Sequence, residues 1–127
     1  MIEEEGGQVV VEDLCTTTRT FWGRVESGGN PVESLYRFLN QRVFCACLHP
    51  EQARIDHVLD LFEAYDAEAV IDLNLKYCHP FLFEAPLLLD ALEQKGIPAI
   101  ALEIGHDMSG HGQLRTRIQA FLEMLEF

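Results

Sequence analysis

The stretch Ala69-Val70-Ile71-Asp72-Leu73-Asn74-Leu75-Lys76-Tyr77-Cys78-His79-Pro80 decides how the chain is read. Ala69 to Leu73 is an apolar run of the length a buried strand takes. Pro80 stops it, because proline has no N–H to give a ladder. A thiol, Cys78, therefore falls at the carboxyl end of a strand, where open α/β sheets gather their ligands. It has three possible roles there: metal ligand, nucleophile, or small buried hydrophobe. Lys76 and His79 flank the sulfur, and cations beside a sulfur favour the thiolate that binds metals or attacks electrophiles.

Working outward, strands alternate with helices. Upstream, Ile55, Val58, Leu59 and Phe62 recur at three and four, one buried stripe of a helix, with His57 on its polar side. Pro31 suits the first turn of an earlier helix through Val32, Leu35, Tyr36 and Leu39. Between these helices, Val43 to Leu48 is short and apolar and reads as a strand or a buried connector. Gln8-Val9-Val10-Val11 is β-branched and reads as a short buried strand. Met1 to Gly7 reads as the tail of a helix entering that strand. Leu14 to Gly29 reads mostly as loop, with Phe21-Trp22 as its anchor. Downstream, a helix is expected from near Phe83 to Lys95, with Gly96 as its stop. Ile97 to Leu102 is a further strand, with Pro98 near its start. A last helix from about Gln113 buries Leu114, Ile118, Phe121, Leu122 and Leu125. This order implies right-handed crossovers and a doubly wound, mostly parallel sheet with helices on both faces, a flavodoxin/Rossmann-like α/β lobe. Its strands should be almost continuously apolar. Residues 1–127 read as a single domain, with no repeat or linker.

The chain has 127 residues, 48% of them hydrophobic, which suffices for one core. The formal net charge is −12, from 21 acidic against 9 basic residues. That excludes nucleic acid, whose phosphates demand a basic face, and an anionic membrane surface. The apolar runs fall far short of a membrane span, and no secretory signal is visible. A cytoplasmic protein with reduced thiols is expected.

There are four cysteines: Cys15, Cys45, Cys47 and Cys78. Cys45-Ala46-Cys47 is CxC, and no CxxC knuckle occurs. On a strand, residues i and i+2 point the same way, so Cys45 and Cys47 could share a cluster, form a redox pair, or pack in the core. Cys15 follows the first strand in a threonine-rich turn, Thr16-Thr17-Thr18. Ser109-Gly110-His111-Gly112 precedes the last helix, where glycines can cradle an anion beside Arg115 and Arg117, or simply cap the helix. The histidines form no HxH or HExxH, and no GxSxG elbow is present, so a zinc protease or serine hydrolase is unsupported.

Several of these motifs come in one order. Val9 to Cys15 is followed by Cys45-Ala46-Cys47-Leu48-His49-Pro50. Then come Leu75-Lys76-Tyr77-Cys78-His79-Pro80, Gly96-Ile97-Pro98, and Gly112-Gln113-Leu114-Arg115-Thr116-Arg117-Ile118-Gln119-Ala120-Phe121-Leu122-Glu123. The series resembles the 2-hydroxyacyl-CoA dehydratase family, which also includes 2-hydroxyglutaryl-CoA dehydratase D-components, benzoyl-CoA reductase subunits and double-cubane cluster proteins. The resemblance spans nearly the whole chain, yet matches only the C-terminal lobe of longer subunits. It implies an oxygen-sensitive enzyme of anaerobes, with an iron–sulfur cluster of the 4Fe-4S type held by cysteines in each subunit. It also implies an ATP-dependent activator protein that delivers one electron, and loss of water from a ketyl radical of an acyl-CoA substrate. By position, Cys78 matches the cluster ligand of the C-terminal lobe, while Cys15, Cys45 and Cys47 match recurring family cysteines with a weaker claim on iron. The implied partners are a missing N-terminal lobe or second subunit, the activator and, through an uncovered surface, a second copy in a homodimer. The chain departs from the family at His79, where many relatives are acidic, and at Thr17, where glycine is common. Two other readings are an assembly module that keeps the fold without a cluster, and a thiol-redox protein using Cys45 and Cys47.

Overall fold

Pro80 does more than end a strand; it opens a helix. Cys78 is the N-cap residue and Pro80 lies in the first turn of α4, His79–Gln94. Proline is tolerated there because the first N–H groups of a helix have no partner to lose. The helix thus starts four residues before the Phe83 expected from periodicity alone. The computed structural model describes residues 1–21, 23–41, 45–46, 51–106 and 110–125. Cys47, the Trp22 anchor, the His49-Pro50 pair, Ser109 and most of the connector from Val43 to Leu48 lie outside the described residues.

The remaining elements, in chain order, are a 3-10 turn at Glu3–Glu5, α1 at Thr18–Phe21, α2 at Pro31–Gln41 and α3 at Gln52–Ala64. They are followed by β1 at Val70–Leu75, α4, β2 at Ala99–Ile104, and α5 at His111–Leu125. β1 begins one residue and ends two residues later than its expected span, and β2 lies two residues C-terminal to its own. β1 and β2 pair in parallel, with Val70 opposite Ala99 and Leu75 opposite Ile104. With α4 between them they form a βαβ unit, as the alternating pattern required.

Side-chain alternation on the strands splits the molecule into three layers. Val70 and Ala99 face α3 and α4, where Ile55, Leu88 and Leu92 form one core. Ile71, Ile100, Leu102 and Ile104 face the other way, onto Leu114, Ile118 and Leu122 of α5 and onto Met1 and Ile2. Helices therefore cover both faces of a parallel sheet, which is the expected α/β arrangement. Arg115 also ties α5 to the N-terminal turn through Glu5.

Two expectations about this frame are corrected. Among the described residues the sheet has two strands, and Gln8–Val11 joins no ladder. Val9 and Val10 are 47% and 42% exposed. β-branching fits a residue for a pleated surface but supplies no partner. Second, β1 is not continuously apolar, since Asp72 and Asn74 alternate with its leucines and are buried. The helix read from Pro31 forms as α2, although it buries none of its residues and Val32, Leu35, Tyr36 and Leu39 are exposed.

Gly96 ends α4 as expected. Its φ is +71°, a conformation that suits glycine. Its N–H donates to the Glu93 carbonyl at 2.9 Å, and Ile97 N–H donates to Leu92 at 3.0 Å. A Cβ at Gly96 would meet nothing within 4 Å, so a substitution there costs backbone strain alone. Gly96→Ala is predicted to lower unfolding stability by about 1 kcal/mol without changing the urea m-value.

Candidate functional site

Cys78 lies three residues past the end of β1, at the point where the chain turns into α4. Its N–H donates to Leu75 at 3.0 Å, and its carbonyl accepts from Leu82 N–H at 3.1 Å. The turn that presents it holds Tyr77 at φ +71°, unusual for a residue with a Cβ. The backbone is thus fixed on both sides of a half-buried thiol. The thiol makes no capping bond to its own helix. The positive end of the α4 dipole, which favours negative groups, faces this position. Tyr77 and Phe83 project beside it in sequence, 84% and 80% exposed.

The other predicted sulfurs lie on different elements. Cys15 is exposed on the loop before α1, and Cys45 is half-buried on the segment before α3. Burial, with the neighbouring Cys45 thiol, pushes the Cys15 thiol up despite the opposing Arg19. Among the described residues, no group of three or more His, Cys, Asp or Glu side chains could hold a metal ion. Among the described residues, Cys78 is therefore not part of a closed metal site.

Of the two readings of Ser109 to Gly112, anion cradle or helix cap, the described residues fit the cap: Leu114 N–H donates to the Gly110 carbonyl at 3.0 Å. Gly112 lies inside α5, Arg115 pairs with Glu5, and Arg117 donates to the Ala101 carbonyl at 3.0 Å. Both arginines are committed within the lobe. A groove of about 560 Å³ between α3 and α4, lined in part by Glu51, Asp56, Asp90 and Lys95, includes none of the described cysteines.

Pattern reading missed a buried charge network behind Cys78. Arg19 grips Asp13 with two guanidinium nitrogens, at 2.6 and 2.5 Å, and also bonds the Asp13 carbonyl at 2.7 Å. Burial opposes its charge, and Asp13 outweighs burial. Arg54 bonds Glu84 from α3 to α4 and lies 3.7 Å from Asp13. The guanidinium carbons of Arg54 and Arg19 lie 4.7 and 5.6 Å from the centre of the Phe81 ring, close enough for cation–π attraction. Phe81 is three residues from Cys78, so the network anchors the start of the helix that carries the thiol.

His57 belongs to the same cluster, contrary to its expected place on a polar face. It is buried, with Nε2 3.8 Å from Asp13. Burial lowers its pKa more than Asp13 raises it, so the ring is neutral at neutral pH and the contact is polar rather than ionic.

Burial also pushes Asp72 up, against the bond from Asn74 at 2.6 Å and the field of Arg54. Glu84 is raised by burial too, with Arg54 and Arg19 opposing. For a raised carboxyl, the folded state holds more protons than the unfolded chain between the two pKa values. Stability therefore falls as pH rises through that window, and the cost is full above the folded pKa. Asp72→Asn is predicted to raise the urea midpoint at pH 7.5 and to flatten its fall as pH rises above the ordinary carboxylate range.

The sequence did carry a signal for this network. Glu84, Leu88 and Leu92 are spaced by four, so Glu84 shares the face of the two leucines in the core. Arg54, His57 and Leu61 follow one buried stripe of α3 in the same way.

Residues 1–125 match the family described as 2-hydroxyglutaryl-CoA dehydratase, D-component. The chain belongs to this family. Among D-component relatives, YjiM of Escherichia coli (strain K12), whose description as a dehydratase subunit is provisional, is 33% identical over 126 residues. That match covers 98% of this chain and 32% of YjiM. The (R)-2-hydroxyglutaryl-CoA dehydratase subunit beta of Acidaminococcus fermentans is 31% identical over 122 residues, 92% of this chain and 32% of that protein. The (R)-phenyllactyl-CoA dehydratase beta subunit of Clostridium sporogenes is 26% identical over 125 residues, 98% of this chain and 33% of that protein. The chain spans about a third of the length of the curated relatives it matches. No helix among the described residues is long and apolar enough to cross a membrane.

Proposed function

We propose that residues 1–127 form one α/β domain equivalent to the C-terminal lobe of a 2-hydroxyacyl-CoA dehydratase subunit, and that it works in the cytoplasm with the rest of that assembly. The observation that carries the reading is Cys78: a half-buried thiol on a doubly anchored backbone turn, at the strand end of a chain from the D-component family. Cys78 gives one sulfur ligand to an iron–sulfur cluster of the 4Fe-4S type. An upstream lobe or a second subunit supplies the other ligands. When bound, that cluster supplies one-electron chemistry to a 2-hydroxyacyl-CoA thioester, with an ATP-dependent activator as the electron source.

The chain's own residues do three things in this scheme. Leu75 and Leu82 hold the backbone of Cys78, so its sulfur is presented without searching rotamers of a loose loop. Arg54, Arg19, Asp13 and Glu84 hold Phe81 and the first turns of α4 in place behind it. The exposed leucines of β1, Leu73 and Leu75, with Tyr77 and Phe83, offer an apolar surface for the remaining lobe to cover and keep water from the thiol.

The test is activity of the completed assembly. The chain, produced anaerobically with the upstream lobe its relatives carry, is mixed with activator, ATP and a 2-hydroxyacyl-CoA. Formation of the 2-enoyl-CoA that depends on this chain is the expected result. An iron-loaded, activated assembly that forms none with any 2-hydroxyacyl-CoA contradicts the reading. The same surface would serve an assembly module without a cluster, and iron content separates the two.

A further inference from the structure

We propose that α2 is a self-association surface, and that its occupant is the α2 of a second copy of this chain, laid antiparallel to it. The inference does not depend on the role of Cys78. Ser34 and Phe38 are the half-buried residues of this helix, and they mark the side that it turns toward its own lobe. Phe38 approaches Gly23 so closely that a Cβ there would lie 3.3 Å from the ring. At about 100° per residue, the stripe Val32, Leu35, Tyr36 and Leu39 is centred roughly 130° away from that side. All four of its residues are exposed, Val32 and Tyr36 by 74% and 67%. The apolar face thus looks outward, and the lobe holds the helix by its flank. An 11-residue helix is marginal in water without an apolar contact, so the outward stripe calls for a partner.

Charge and symmetry name that partner. The chain carries a net charge of −12, which sets two copies against each other over most of their surface. α2 adds nothing to that repulsion. Its charged residues, Glu33 and Arg37, pair at 2.5 Å and cancel, on the flank opposite Ser34 and Phe38. A two-fold axis between Leu35 and Tyr36 makes the stripe its own complement. Leu35 of one copy then lies opposite the partner's Tyr36, and Val32 opposite the partner's Leu39. Antiparallel packing also sets the positive end of each helix dipole beside the negative end of the other. Two 11-residue helices cover less than the roughly 1,200–2,000 Å² of a standard interface, so the dimer is weak and fills as concentration rises.

The experiment is sedimentation equilibrium of the reduced chain over a concentration series, at about 0.05 M and about 0.5 M NaCl. The expected result is a rise from the mass of one chain toward that of two. The rise should be steeper at high salt, because screening relieves the repulsion between acidic copies. Leu35→Glu/Tyr36→Glu, matched to wild type by circular dichroism, should stay monomeric throughout. Leu73→Glu, on the apolar surface at β1, should dimerise as wild type does. Amide exchange over residues 32–41 should slow as the wild-type dimer fills and stay unchanged in the double variant. A wild-type chain that remains a single copy at every concentration and salt overturns the proposal. So does association that climbs past two copies, a double variant that pairs like wild type, or a Leu73→Glu variant that no longer pairs.

Discussion

Arg54→Met is expected to destabilise the lobe by about 3–5 kcal/mol, the usual loss when one partner of a buried ion pair is removed. The pair itself is no strong source of stability, since burying both charges offsets most of their attraction. The loss comes from what stays behind. Glu84 would remain buried with one oxygen already lacking a hydrogen bond among the described residues, and Asp13 would lose one of its two arginines. Methionine keeps much of the side-chain volume, so the change reads charge rather than cavity. Arg54→Met/Glu84→Leu should recover most of the loss, because a well-packed apolar pair replaces the orphan. The deficit of the single variant should also shrink as pH falls. Glu84 is already raised by burial, and without Arg54 it takes a proton more readily in the folded state. Urea unfolding of the four proteins of the cycle, at pH 5 and pH 7.5, checks all three statements.

The fold was legible in the sequence where pattern and punctuation agreed. The α3 and α5 stripes carry a 3.6-residue period and Gly96 stops α4, and each element formed. The layered α/β arrangement followed from their order. Reading failed where the deciding partner is distant in the chain. Val9 to Val11 has strand propensity, but no neighbour pairs with it among the described residues. Asp72 and Glu84 sit at core positions that pattern reading assigns to apolar residues. Only the arrival of Arg54 from another helix makes Glu84 tolerable there. The position of Cys78 between β1 and α4 was legible because the apolar run and Pro80 around it are local signals.

The second large effect concerns Cys78 itself. If its sulfur is one corner of a cluster completed by the upstream lobe, Cys78→Ala removes a ligand that no other side chain of the described lobe can replace, since no metal-holding group of three or more His, Cys, Asp or Glu exists among the described residues. Cluster ligation is cooperative with the whole ligand set, so the loss should be of the entire cluster at this site and not of a fraction of it. The fold should survive, because the thiol makes no capping bond and is only half-buried. The most direct measurement is iron and sulfide per assembly after anaerobic reconstitution, taken in parallel on wild type and Cys78→Ala with matched circular dichroism. A loss of about four irons per site in the variant, with the fold unchanged, is the result predicted for a 4Fe-4S cluster. Equal iron in both proteins would contradict it.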